Sequence, residues 1–117
     1  MVVIYRQTNV NVTRVYPIES FDCIESSIEV HKYSAEKTYT IVGFRNTFRT
    51  REVFDCSERM HHVLEPDVVK VVFGEYVNKK DRDDAFDRFL LALGEGCHAY
   101  ESIYADGERL FRPIPSI

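Results

Sequence analysis

Cys56, Glu58, Arg59, His61 and His62 fall within one short segment. They include a thiol, two imidazoles and a cation able to lower the thiol's pKa, which are the parts of a nucleophile and base pair. Nearness along the chain does not bring a base to a nucleophile, and a structural cysteine beside surface histidines uses the same residues. The segment could also join Cys97 and His98 in a mixed sulfur and nitrogen metal site. Its spacing argues otherwise: structural zinc sites pair their ligands as Cys-x-x-Cys or His-x-x-x-His, and adjacent His61 and His62 point apart on a helix or a strand alike. The residue types predict neither a metal nor a catalytic role for this group.

A second set of chemically capable residues precedes it. The run Gly43-Phe44-Arg45-Asn46-Thr47-Phe48-Arg49-Thr50-Arg51 interleaves guanidinium groups that fork onto phosphates with rings that stack on bases. On a strand, Arg49 and Arg51 share a face and Arg45 joins them. RNA or nucleotide binding is one reading. The other is an exposed sheet face whose arginines pair with Glu52, Asp55 and other carboxylates while Phe44 and Phe48 enter the core. Charge favours the second, because a chain of formal net charge -4 lacks the surplus of cations that wrapping a nucleic acid requires. Gly94-x-Gly96 follows a helical pattern instead of preceding one and lacks a third glycine, so no phosphate cradle and no cofactor is expected.

The third set lies on a helix. From Asp81 to Gly94 the apolar residues recur at helical spacing, with Phe86, Phe89, Leu90 and Leu93 as one stripe. Asp81, Asp84, Arg88 and Leu91 project from the opposite side. A lone exposed leucine among charges is ordinary. It also makes a partner-binding face that is acidic at one end and carries an apolar anchor.

The elements that must position these groups read mainly as strands. Val68 to Val77 is apolar on both faces, with Val69, Val71, Phe73 and Val77 on one and Val68, Val72 and Tyr76 on the other, the mark of a central strand. Hairpins are predicted over 2–16, over 28–45 around Ser34-Ala35-Glu36-Lys37, and over 97–111 around Ala105-Asp106-Gly107. Phe48 to Phe54 alternates as a further strand. Ile18, Phe21, Ile24 and Ile28 recur at the spacing of a short helix after Pro17, and Ser57 to Leu64 reads as a helical turn capped by Ser57 and ended by Pro66. The tail over 112–117, with two prolines, is an extended edge segment at most.

Strands outnumber helices and no βαβ repeat appears, so the expected fold is α+β: a single domain over 1–117 with a mostly antiparallel sheet and one main amphipathic helix on one face. Hydrophobic content of 44% without low-complexity tracts supports a folded core. Three widely spaced cysteines and no apolar leader predict reduced thiols in a cytoplasmic protein, and no apolar run reaches the roughly 20 residues of a membrane span. The residues fit a small acidic interaction protein, a regulator or inhibitor of a protein partner, better than a nucleic-acid module or a Cys/His enzyme.

Overall fold

The computed structural model describes residues 1–7 and 9–115. Its strands are β1 (Val2–Gln7), β2 (Val12–Pro17), β3 (Cys23–Val30), β4 (Lys37–Phe54), β5 (Met60–Tyr76), β6 (Ala99–Ala105) and β7 (Glu108–Pro113), with one α-helix, α1 (Lys79–Gly94). They form one sheet in the order β2-β1-β6-β7-β5-β4-β3. Adjacent strands run antiparallel except β1 and β6, which are parallel. The expected α+β class with a mostly antiparallel sheet is thus met in outline, the sheet being mixed and dominating the fold.

β5 meets β7 through the single pair Glu75↔Arg109, so the sheet turns a corner there and its halves face each other. Phe73 of β5 stacks on Phe111 of β7 with centroids 5.3 Å apart and meets Tyr16 of β2 at 6.3 Å. The Ser102 hydroxyl of β6 donates to the Phe73 carbonyl at 2.6 Å. Phe73, Phe89, Tyr100 and Phe111 form the centre of the core with Val3, Ile41 and Val71. Gly43 is required beneath it: a β-carbon there would lie 2.7 Å from Phe73 and 2.8 Å from Phe21.

Only the head end of β5 is interior, with Val71, Phe73 and Tyr76 buried while Val68 is 53% exposed, and its face assignment differs from the expected one. Pairing slips between Ile41 and Val42, leaving Phe73 as an extra residue opposite β4. This bulge resets the alternation, so Tyr76 joins Phe73 in the core while Val77 is exposed.

Asn78 caps α1 by accepting the Lys80 N–H at 2.8 Å, and Gly96, with φ +73°, carries the chain out of it. The buried stripe is rotated from the expected one: Arg82, Phe89 and Ala92 are buried, Ala85 and Phe86 pack beside them, and Leu90 and Leu93 lie at the solvent flank. Two alanines let the helix approach closely. Arg82 is tolerated because its guanidinium donates to the Ser27 carbonyl at 2.7 Å and to Asp83 at 2.8 Å.

Further expectations are corrected. Ile18 begins only a 3-10 turn, Ile18–Ser20. Asp22 then anchors the chain to β4 by donating its N–H to the Phe44 carbonyl at 2.8 Å and accepting the Asn46 N–H at 2.6 Å, so Ile24 and Ile28 continue as β3. The predicted helical turn over 57–64 is absent, because Ser57 belongs to a hairpin turn and 60–64 to β5. The hairpin over 28–45 forms, but β3 ends at Val30 opposite Lys37, so its connection is the six residues 31–36 and not Ser34 to Lys37. The Ala105-Asp106-Gly107 turn holds, with Asp106 and Gly107 both at positive φ, as a two-residue hairpin demands. Positions 116 and 117 of the predicted tail lie outside the described residues.

Candidate interaction surfaces

β3 begins at Cys23, opposite Phe44. Beyond that point β4 and β5 are paired only with each other, from Arg45↔Val69 to Phe54↔Met60. Ten residues of each strand therefore leave the head as a two-stranded arm about 30 Å long, and the molecule measures 61 × 38 × 28 Å. Among the described residues no further strand pairs with either edge of the arm, and only its base is held, where Asp22 accepts the Asn46 N–H and Val69 packs against the core.

Register divides the arm into two faces. One carries Arg45, Thr47, Arg49, Arg51 and Val53 opposite Val69, Asp67, Glu65, Val63 and His61. Arg45, Arg49 and Arg51 thus share a face as expected, but Glu65 engages two of them: Arg49 Nε lies 2.6 Å and Arg51 Nε 3.3 Å from its carboxylate. Counted over 45–69, four arginines stand against five carboxylates. The arm is not a basic stripe. Arg49 and Arg51 thus pair with a carboxylate as one reading expected, Glu65 standing in place of Glu52 and Asp55. It comes from the opposite strand.

The other face carries Asn46, Phe48, Thr50, Glu52 and Phe54 opposite Val68, Pro66, Leu64, His62 and Met60. Phe48, Phe54, Met60, Leu64 and Val68 are between 51% and 71% exposed. The expectation that Phe48 enters the core fails because no helix and no third strand reaches this part of β4. Phe44, two residues nearer the head, is half-buried. Pro66, expected to end a helix, sits inside β5, where its missing N–H is tolerated by the uncovered outer edge.

Asp55 organises the tip. It accepts the Ser57 hydroxyl at 2.6 Å, the Ser57 N–H at 2.8 Å and the Arg59 N–H at 3.0 Å, and its second oxygen lies 2.6 Å from His61 Nε2. The Ser57 hydroxyl, then His61 and the Arg59 N–H, hold its carboxyl well below the usual range. His61 is therefore held by Asp55, and the Cys56 thiol is exposed. His62 points to the opposite face of the arm, and Cys97 and His98 precede β6 in the head. Among the described residues no group of three or more His, Cys, Asp or Glu side chains is placed to hold a metal.

The helix candidates converge better. Asp81, Asp84 and Arg88 line a concavity of about 290 Å³ with Tyr76, Leu110, Phe111 and Arg112. Tyr76 accepts the Phe111 N–H at 2.8 Å, and burial pushes its phenol above the usual value. Two aspartates and two arginines share the lining with Leu110 and Phe111, so the concavity is mixed in charge and partly apolar, and Arg112 is engaged by Glu101 at 2.8 Å. Leu91 is 66% exposed and stands outside this lining.

Sequence reasoning missed the arm. A signal for it existed: outward from Asp55-Cys56-Ser57-Glu58-Arg59, the residues match as Phe54 with Met60, Phe48 with Pro66 and Arg49 with Glu65, apolar to apolar and charge to opposite charge. Ser57 and Pro66, read as helix boundaries, hid it. Among the described residues no helix is long and apolar enough to cross a membrane. Comparison of the chain with protein-family models, curated proteins and solved structures finds no match.

Proposed function

We propose that this chain is an interaction protein, a regulator or inhibitor that works by binding a protein partner. The observation that carries this reading is the arm. A two-stranded ribbon is marginally stable alone, yet β4 and β5 continue ten paired residues past the head and present an apolar face that closes no core. Exposed contiguous apolar surface of this kind marks a contact site. The second contact surface in this reading is the outer side of α1, where Asp81, Asp84 and Arg88 line the concavity and Leu91 stands beyond it. A reducing compartment such as the cytoplasm suits the three unpaired thiols.

Nucleic-acid binding through Arg45, Arg49 and Arg51 is the weaker reading, because Glu65 already engages two of the three. Affinity capture from the native host separates the two. A protein partner retained after nuclease digestion, and lost when residues 46–68 are replaced by an Asn-Gly turn between the paired Arg45 and Val69, supports the proposal. Retention that nuclease abolishes and that Arg49→Ala with Arg51→Ala removes would replace it with the nucleic-acid reading.

A further inference from the structure

We infer that the apolar face of the arm is covered by the arm of a second copy of this chain, the two running antiparallel about a two-fold axis near Thr50 and Leu64. The inference rests on the reading of the arm as a contact element and specifies what it meets.

Area favours this occupant. Phe48, Phe54, Met60, Leu64 and Val68 are each more than half exposed, which at the usual size of such side chains leaves on the order of 600 Å² of apolar surface per chain. Two faces packed together remove roughly twice that from water, which reaches the lower end of stable protein interfaces. One isolated arm has no such shelter.

The pattern along the face fits the antiparallel arrangement, and the position of the heads selects it. From base to tip its cross-strand rows are Asn46 with Val68, Phe48 with Pro66, Thr50 with Leu64, Glu52 with His62, and Phe54 with Met60. Folded onto itself about the middle row, Phe54 and Met60 at one tip cover Val68 at the other base, and Leu64 meets its own copy. Glu52 then lies against Phe48 and Pro66 and stays about 13 Å along the arm from the Glu52 of the other copy. A parallel arrangement needs a two-fold axis along the arm, which lays β4 of one copy over β5 of the other, sets Glu52 against His62 and brings both heads to the same end, where their bulk collides. Antiparallel arms put the two heads at opposite ends, where they do not collide. Edge-to-edge pairing is less suited: Pro66 interrupts the β5 edge, and joining β4 to its own copy about Arg49 or Thr50 sets Arg49 opposite Arg49 or Arg51.

The test uses the full chain. Sedimentation equilibrium at micromolar concentration is expected to give the mass of two chains. Phe48→Asp with Leu64→Asp is expected to raise the dissociation constant at least ~100-fold without changing the far-UV spectrum or the head's cooperative melt. With Cys23→Ser, Cys56→Ser and Cys97→Ala in place, Thr50→Cys is expected to form a disulfide-linked dimer on mild oxidation, while Asp106→Cys on the head remains unlinked. A monomeric wild type, a dimer that survives the Asp substitutions in a folded variant, or a Thr50→Cys chain that fails to cross-link overturns the inference. A monomer that still captures a protein through its arm overturns the dimer and leaves the interaction reading standing. A dimer that captures nothing upholds the dimer and removes the reading of a regulator.

Discussion

The head and the arm are built from the same two strands under opposite conditions. In the head, Ile41, Val42 and Gly43 of β4 and Val71, Phe73 and Gly74 of β5 are buried; in the arm, the same strands carry Phe48, Phe54, Leu64 and Val68 more than half exposed. Backbone pairing is continuous across the boundary, so hydrogen bonding does not separate the two regions. Neighbours do. β3 flanks β4 only as far as Phe44, while β7 and α1 reach only the head end of β5. An apolar residue is a core residue when something lies over it, and the same residue type a few positions along the strand becomes a contact surface.

That contrast is broken most severely from the head. Phe73→Ala or Phe89→Ala should lower stability by roughly 3–5 kcal/mol, since both side chains are almost wholly buried. Chemical denaturation checks this, and near wild-type midpoints for both would mean that the aromatic cluster does not organise the fold. Gly43→Ala should act less strongly, by about 1–3 kcal/mol, because the new methyl group would press on the Phe73 and Phe21 rings. Phe21 can yield where Phe73 cannot, so Gly43→Ala combined with Phe21→Leu should recover part of the loss.

The smallest effect is at the tip. The Asp55 carboxyl is held below its ordinary value of 3.8, so its contribution to the ordered turn is full above that value. It declines as the pH falls further and vanishes as the pH passes through the lower folded-state pKa. Amide exchange at Ser57 and Arg59, whose N–H groups Asp55 accepts, should therefore stay slow at neutral pH relative to Asp55→Asn, with the difference closing in strong acid while the head amides are unaffected. Equal protection in the two proteins at neutral pH would show that the turn's backbone bonds hold it without the carboxylate.

How much of this was legible in the residues varied with how local the cause was. Asp106-Gly107 announces its hairpin because positive φ is a property of the turn residues themselves, and the period of α1 announces a helix for the same reason. The stripe that α1 buries was misread at Leu90 and Leu93, since packing chose the small Ala85 and Ala92 for closest approach. The grouping of Arg45, Arg49 and Arg51 on one face followed from strand alternation, while their capture by Glu65 depended on the register of the opposite strand.

The amino-acid pattern by itself determined strand content, the main helix, the Asp106-Gly107 turn and the interior character of the Val71 to Tyr76 stretch, because each follows from steric and hydrophobic preferences within a few neighbouring residues. Tertiary structure alone decided the bulge that turns Tyr76 inward, the corner at Glu75 and Arg109, and the point where β3 stops and the arm begins. Each of these depends on which segments distant in the chain come to lie beside one another, and a local pattern of alternating residues is the same whether its neighbour is present or absent.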